Sequence, residues 1–317
     1  MSATKTPPGQ IGAEPSSADR EVASQRLLVV TPTHNEADHI ERVVGAVAAQ
    51  SRPPDEWIVL DDNSTDGTGE LLRALAGRVP FMRVVAGEPA EALESARDRL
   101  ALAAAPRAFN AGLGAAGGDF THVAKLDGDV ELPPDYFEKM LERLDDDPSL
   151  GIVCGDLIEP APAGWQRLAI PPHHVHGALK LYSAECLNAI GGVREVLGWD
   201  TIDETYARMR GFRTRSYSDV VAKHLRPSGT ASGALRGRAR HGRCAWIAHF
   251  GLGWVAMRSV KVGLRMRPRG LSGAAFLGGY LYAAMIRVPR VEDREFRRFV
   301  RSELRSRMRA ALRRRAG

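Results

Sequence analysis

The chain has 317 residues, with 44 Lys or Arg against 38 Asp or Glu and only three Cys. That length supports one large α/β domain or one domain with an appendage. Cys154, Cys186 and Cys244 are odd in number, far apart and free of any Cys-x-x-Cys pair, which argues against a disulfide framework or a zinc site and suits a reducing cytosol. Charge is strongly segregated: Val220–Val291 contains thirteen Lys or Arg and no Asp or Glu, and the segment from Arg294 adds ten Arg against Glu295 and Glu303. Such a half suits a polyanionic partner, either nucleic acid or lipid headgroups.

In chain order, residues 1–25 are rich in Pro, Ser, Ala and Gly without an apolar run, and read as a disordered leader. Leu27–Thr31 is a short apolar strand, after which Ile40, Val43, Val44 and Val47 recur at helical spacing. Trp57–Leu60 predicts a second strand, Thr68–Ala76 a helix and Phe81–Val85 a third strand. Helix follows over Glu88–Ala104 and again near Arg107–Ala116, then strand Thr121–Leu126. Pro133-Pro134 opens a helix with Phe137, Met140, Leu141 and Leu144 inward, and Ile152–Cys154, His176–Tyr182 and Arg213–Val221 read as strands. A helix ends at Gly191-Gly192 and another reaches Arg210 before a Gly211 cap. Short β-α repeats predict a mostly parallel central sheet flanked by helices, with ligands outside the carboxyl ends of its strands. Cys244–Met257 and Leu271–Ile286 are apolar runs flanked by Arg, each short of the roughly 20 residues a membrane-spanning helix needs. They predict a basic helical region over 227–317 that lies on an anionic inner-membrane surface, with Trp246, Phe250, Trp254 and Phe276 inserting, rather than a nucleic-acid binder. Buried helices with a solvated basic rim are the alternative.

Asp127-Gly128-Asp129 ends an apolar strand with two carboxylates. Residues i and i+2 of a strand share a side, and Gly128 lets the backbone turn, so both acids can address one divalent cation; a solvated acidic turn is the plainer reading. Gly112–Gly117 fits the G-x-G-x-x-G dinucleotide fingerprint, but it follows a helix and precedes a strand, the reverse of what nicotinamide binding requires. Its glycines are expected to end a helix and permit close packing.

Taken together, Thr31-Pro32-Thr33-His34-Asn35-Glu36, Asp61-Asp62-Asn63-Ser64-Thr65-Asp66, Arg107 to Gly112, Asp127-Gly128-Asp129, Gly191-Gly192 and Gly198-Trp199-Asp200 resemble the family 2 glycosyltransferases of GT-A fold, over roughly Arg26–Arg226. The resemblance implies a metal-dependent, inverting transfer of one sugar from a UDP-, dTDP- or GDP-sugar to a saccharide or lipid-linked acceptor in cell-surface glycan biosynthesis. It places Pro32, His34, Glu36 and Asp62 against the nucleoside and leaves Asp61 structural, with Arg107 near the diphosphate. It assigns Asp129 to Mg²⁺ or Mn²⁺, Asp127 to the ribose and a metal-bound water, and His224 to the metal shell. Many members carry Glu-Asp where this chain has Trp199-Asp200, so Asp200 corresponds to the catalytic base, with Asp203 the second choice. Thr201 and Glu204 fit a capping box, which would leave Asp200 just outside the helix. The Gln-x-x-Arg-Trp of processive synthases is missing; Arg240-His-Gly-Arg243-Cys-Ala-Trp246 is a distant echo. A polyprenyl-phosphate glycosyltransferase and a catalytically silent membrane-bound scaffold of the same fold are the alternatives.

Overall fold

The structure, a computed structural model, describes residues 25–88, 103–227 and 233–316. The leader up to residue 24 and most of the helix expected over Glu88–Ala104 lie outside them.

The first half is a run of β-α units: β1 (Leu27–Thr33), α1 (Ile40–Ala48), β2 (Glu56–Asp61), α2 (Thr68–Ala76), β3 (Met82–Ala86), α3 (Ala104–Gly114) and β4 (His122–Leu126). β1 lies between β2 and β4, all three parallel, with β3 outside β2. Their side chains are buried almost throughout because helices cover both faces, hence continuous apolar runs rather than alternation. α1 buries Ile40, Val43, Val44 and Val47, the stripe expected from spacing. α3 packs on β1 and β2 so closely that a Cβ on Gly112 would come within 2.5 Å of Val30 Cγ1. The glycine fingerprint therefore lies at the end of helix α3 and serves packing, whereas a dinucleotide turn would open a helix.

The second half adds β5 (Val130–Glu131), α4 (Tyr136–Asp146), β6 (Leu150–Ala161), β7 (Gly164–Arg167), β8 (Leu179–Ser183), α5 (Ala184–Ala189), α6 (Trp199–Met209) and β9 (Arg213–His224). The sheet order is β3-β2-β1-β4-β8-β6-β9-β5, with β7 on β6. The expected parallel sheet describes its first half: β8 runs antiparallel to both β4 and β6, so the sheet is mixed. β6 and β9 are longer than their apolar centres suggest, because their polar ends pair with each other and with β5 and β7.

Four helices complete the chain: α7 (Ala234–Ile247), α8 (Leu252–Arg265), α9 (Leu271–Met285) and α10 (Arg294–Ala316). α7, α8 and α9 approach backbone to backbone through glycines. A Cβ on Gly242 would overlap Phe276 O, one on Gly279 would overlap Ala239 O, and one on Gly273 would overlap Ser259 O. The aromatic residues expected to insert in a membrane instead build this lobe. Phe276 is buried with Ala245, Val255 and Tyr280, Trp246 donates its Nε1 hydrogen to Val288 O at 2.9 Å, and Phe250 stacks edge-on against Trp254. α10 docks by Phe296, Val300 and Leu304, with Phe296 4.7 Å from the Tyr206 ring of α6. Among the described residues no helix is long and apolar enough to cross a membrane.

Candidate active site

Polar residues collect where β1, β2 and β4 end. The turns after β1 and β2 are stitched together: Asn35 and Asn63 take left-handed backbone (φ 56° and 59°), Asn35 Oδ1 accepts from Thr65 N at 2.8 Å, and Ser64 Oγ accepts from Asn35 N at 3.0 Å. Asp66 reinforces the joint by accepting from Ala37 N and Thr68 N. His34 Nδ1 lies 2.8 Å from Asp62 O, which fixes the ring over the second turn. Pro32 sits in β1 opposite Leu60. Asp61 Oδ1 accepts from Ser64 N within its own turn, as a structural residue would. Asp62, beside Gly87, stays half exposed on the rim.

Below that rim lies the acidic pair. The two residues of β5 pair antiparallel with β9 so that Val130 faces His224, and Leu225 N donates to Asp129 O at 2.8 Å. This register delivers both His224 and Arg226 to Asp129: His224 Nε2 is 3.2 Å and Arg226 Nε 2.6 Å from Asp129 Oδ2. Burial works against ionising Asp129, but the His224 hydrogen bond and the charges of His224 and Arg226 outweigh it and hold its carboxyl below the usual range. Arg226 also clamps Glu36. Glu36 is buried, 6 % exposed, and its second oxygen has no hydrogen-bond partner among the described residues. Burial and the Asp129 charge push it up to about 8 in spite of Arg226. Gly128 owes its identity to space rather than to a positive φ, since a Cβ there would stand 2.9 Å from Thr33 Cγ2 and 3.1 Å from Glu36 Cγ.

The other acid, Asp127, is held by Lys125, whose Nζ also donates to Gly177 O at 2.8 Å. Gly177 leads to the third group, because a Cβ on it would lie 3.2 Å from Asp200 Cβ. Asp200 belongs to the first turn of α6 rather than preceding it, and its Oδ1 accepts from Thr201 N at 3.0 Å. No capping box forms: Gly198 is the N-cap at φ 86°, while Glu204 accepts from Val175 N and contacts His174 instead. Asp203 is 1 % exposed, takes both oxygens to Lys180 Nζ at 2.8 and 3.0 Å, and accepts from Tyr182 Oη at 2.5 Å. With every oxygen occupied inside the core, its geometry is that of a structural anion. Lys180 also donates to Asp200 O at 2.6 Å. Lys125 and Lys180 face each other across the β4–β8 ladder, each 5.1 Å from the Trp199 ring, so two buried ammonium groups hold the indole next to Asp200.

The structure thus brings together Glu36, Asp127, Asp129 and His224, with Asp200 reached through Lys125 and Gly177. Arg107 is not joined to them; its ionic partner among the described residues is Glu195 at 4.0 Å. Arg226, Lys125 and Lys180 escaped sequence reasoning. The pairing of an Asp-x-Asp with a later His-x-Arg strand end is the one signal that could have exposed Arg226.

A buried, ionised carboxylate beside an imidazole, with a second acid two residues away, is a donor set suited to Mg²⁺ or Mn²⁺. Among the described residues no three His, Cys, Asp or Glu stand close enough to hold an ion by themselves. The set therefore fits an ion whose shell is completed by ligand oxygens, the usual arrangement for Mg²⁺ on nucleotide phosphates.

Known proteins resemble this chain in sequence and in fold. Residues 28–174 match the sequence model of glycosyl transferase family 2. A protein named as a teichuronic acid biosynthesis glycosyltransferase, TuaG of Bacillus subtilis, is 34 % identical over 116 residues, which are 37 % of this chain and 40 % of TuaG. The polyprenol monophosphomannose synthase of Mycolicibacterium smegmatis is 30 % identical over 160 residues, 46 % of this chain and 52 % of that protein. The match therefore spans about half or less of these relatives. Among solved structures, the mannosyltransferase PcManGT of Pyrobaculum calidifontis, in complex with GDP-Man and Mn²⁺, superposes with a TM-score of 0.53 at 22 % identity, over 82 % of this chain and 73 % of that one. Over residues 28–174 the chain is similar to glycosyl transferase family 2, and its fold is the GT-A fold.

Proposed function

We propose that the protein is an inverting, metal-dependent glycosyltransferase that moves one sugar from a nucleotide-diphosphate donor to a saccharide or lipid-linked acceptor in cell-surface glycan biosynthesis. The observation that carries this reading is the meeting of Asp129, His224 and Arg226 at the end of β4, with Asp200 reached through Lys125 and Gly177. The rim formed by His34, Asp62 and the two Asn turns takes the nucleoside, and Glu36 and Asp127 lie where ribose hydroxyls can donate to them. Asp129 and His224 would hold Mg²⁺ or Mn²⁺, with Asp127 beside them. The ion, when bound, offsets negative charge on the leaving diphosphate. Arg226 occupies that position among the side chains, so it, rather than Arg107, is assigned to the diphosphate. Asp200 accepts the proton of the attacking acceptor hydroxyl, while Thr201 N holds its Oδ1 and Lys180 Nζ holds its backbone carbonyl in place. Attack from the face opposite the leaving group inverts the anomeric carbon.

The acceptor side is set by the last four helices. Among the described residues every exposed large hydrophobic except Trp165 and Leu235 falls between Leu252 and Ile286, on α8, α9 and their connection. Val260, Leu264, Leu271, Leu281 and Met285 are 48–72 % exposed, and Lys261, Arg265, Arg267 and Arg269 accompany them. Apolar side chains ringed by cations, with no carboxylate from Val220 to Val291, suit an anionic bilayer surface. The protein is accordingly assigned to the inner face of the cell membrane as a peripheral enzyme.

The test is release of nucleoside diphosphate from UDP-, dTDP- and GDP-sugars by the full chain, with and without Mn²⁺. Turnover of one donor that depends on Mn²⁺ and is lost in Asp129→Ala supports the proposal. Metal-independent turnover, or none with any donor, contradicts it and favours a silent scaffold.

A further inference from the structure

A cavity of about 460 Å³ lies where α7 and α9 end and α10 begins, lined by Trp246, His249, Arg287, Arg290, Arg294 and Arg297. Both helices stop at it in the same way. His249 and Arg287 follow the C-caps of α7 and α9 in left-handed backbone, at φ 60° and 54°, and Phe250 N and Val288 N donate back to Ala245 O and Ala283 O. Glycine is the usual residue at such a position, because a Cβ is disfavoured there. Here both places carry a side chain that lines the cavity.

One cation is fixed in advance. The Arg290 guanidinium stands 3.3 Å from the centre of the Trp246 ring, and its Nη1 is 3.5 Å from His249 Nδ1. His249 is anchored by Nε2 to Val291 O at 2.8 Å, and Trp246 by Nε1 to Val288 O at 2.9 Å. The Nε atom of Arg290 is buried with no hydrogen-bond partner among the described residues, and the charges of Arg297 and Arg301 bear on it. Arg294, Arg297 and Arg301 share one side of α10 by their spacing and are exposed. Arg287, Arg290, Arg294 and Arg297 make no ion pair with any described residue, whereas Arg42, Arg83, Arg143, Arg208 and Arg213 each meet a carboxylate. The acids beside the cavity do not neutralise it. Asp293 accepts from Glu295 N, Phe296 N and Tyr206 Oη, and Glu292 is one charge among several cations. A stacked guanidinium with unpaired ones around it matches a phosphate in charge and in fork geometry.

We infer that this cavity binds the phosphate of an anionic phospholipid headgroup. The lipid source follows from what adjoins it. Tyr282, Met285 and Ile286, 58 %, 72 % and 50 % exposed, lead up to Arg287 and continue the apolar face of α8 and α9. A phosphate held by Arg290 and Arg297 would set its acyl chains beside those residues. This choice of source rests on the membrane part of the proposed function and adds a discrete headgroup site to it. The site is separate from the proposed base: it meets α6 at Tyr206, through Asp293, about 9 Å along the helix from Asp200 at 1.5 Å per residue.

The experiment is calorimetric titration of the full chain with dihexanoyl phosphatidylglycerol, kept below its micelle concentration, and with inorganic phosphate. The lipid is expected to bind saturably at one site, about tenfold or more tighter than inorganic phosphate because its chains bury apolar surface. Arg290→Gln and Arg297→Gln should each weaken it about fivefold or more, as loss of a charge-assisted hydrogen bond does. Arg298→Gln, an equal charge loss on another side of α10, should change it less than about twofold, as a screened exposed charge does. Should Arg290→Gln not fold, because Trp246 loses its stacking partner, the exposed Arg297 decides through Arg297→Gln alone. Inorganic phosphate binding as tightly as the lipid overturns the lipid source and assigns the cavity to a soluble phosphate. The inference is overturned altogether if the wild type binds neither, or if Arg298→Gln weakens binding as much as Arg297→Gln, the mark of diffuse attraction. Wild type that binds the soluble lipid but stays in the supernatant with phosphatidylglycerol vesicles supports the site and counts instead against the peripheral membrane reading.

Discussion

Replacing Lys180 by Met removes the charge that lets Asp203 remain ionised inside the core. Lys180 Nζ makes three hydrogen bonds of 2.6 to 3.0 Å, to Asp200 O and to both Asp203 oxygens, and both side chains are 0 % exposed. Methionine keeps most of the volume and none of these bonds. Asp203 is already pushed up from 3.8 to about 6, by burial first and by Glu204, against the pull of Lys180 and Tyr182. That displacement of about two units corresponds to about 3 kcal/mol against the ionised form in the fold. Breaking one side of a buried pair costs about 3–5 kcal/mol when the other charge persists. Because the folded pKa is raised, the stability Asp203 contributes is full below its ordinary value near 3.8 and is lost as pH rises through about 6. Without Lys180 the folded value moves higher still, so the variant goes on losing stability at pH values where the wild type has levelled off. Near pH 5 both proteins hold Asp203 protonated and differ little from this source. At pH 7.5 the gap should be wider by about 2 kcal/mol, from roughly 1.5 further pH units at 1.36 kcal/mol each. Urea denaturation of both proteins at the two pH values measures this gap. An equal loss at both, or a loss under about 1 kcal/mol at pH 7.5, would refute the assignment of Lys180 and Asp203 as a buried ion pair.

Asp200→Asn should lower turnover at least about a hundredfold with donor KM nearly unchanged, since general base catalysis contributes about 10²–10⁴; wild-type kcat in the variant removes Asp200 as the base. Asp203→Asn should instead lower thermal stability, and a kcat effect larger than that of Asp200→Asn in folded protein would reverse the two roles. Gly279→Ala drives a methyl into Ala239 O and should destabilise the α7–α9 lobe by about 1–3 kcal/mol, seen as faster limited proteolysis there; unchanged proteolysis contradicts the close helix approach. The full chain should co-sediment with phosphatidylglycerol vesicles at low salt and be only partly released at high salt, and Leu264→Glu should weaken binding at both. Wild type remaining in the supernatant at low salt would show that the exposed face of α8 and α9 is not a lipid surface.

The elements that sequence reasoning captures are those whose pattern is set locally. α1 and α4 show a single apolar stripe, and β1, β2 and β4 have short apolar cores, so local pattern alone identifies them. β5 has two residues and no pattern of its own; it exists because β9 runs past it, and only that pairing reveals that His224 and Arg226 meet Asp129. Lys125 and Lys180 look like ordinary outward residues of a strand until β8 is known to pair antiparallel with β4. The Thr201–Glu204 spacing fits a capping box equally well in any helix start, and here a tertiary contact to His174 and Val175 wins Glu204. Trp246 and Phe276 are hydrophobic in sequence whether they face lipid or a neighbouring helix. The choice was made by Gly242 and Gly279, which let the helices close over them and leave Val260, Leu264 and Met285 outside instead. The acidic motifs at the strand ends were legible because their order and spacing repeat a known family, whereas the partners that tune them come from distant segments.

The most direct test of the site is binding of nucleoside diphosphates, measured by titration calorimetry on the full chain with Mn²⁺ and with a chelator, in wild type, Asp129→Ala and His224→Ala. One of UDP, dTDP or GDP should bind at least tenfold more tightly with Mn²⁺ than with chelator. Both variants should weaken that binding at least tenfold while the residual Mn²⁺-independent affinity stays the same, because Asp129 and His224 act through the ion. Nucleotide binding of equal strength with chelator, or unchanged Mn²⁺ dependence in Asp129→Ala, would contradict a metal-held diphosphate at the end of β4.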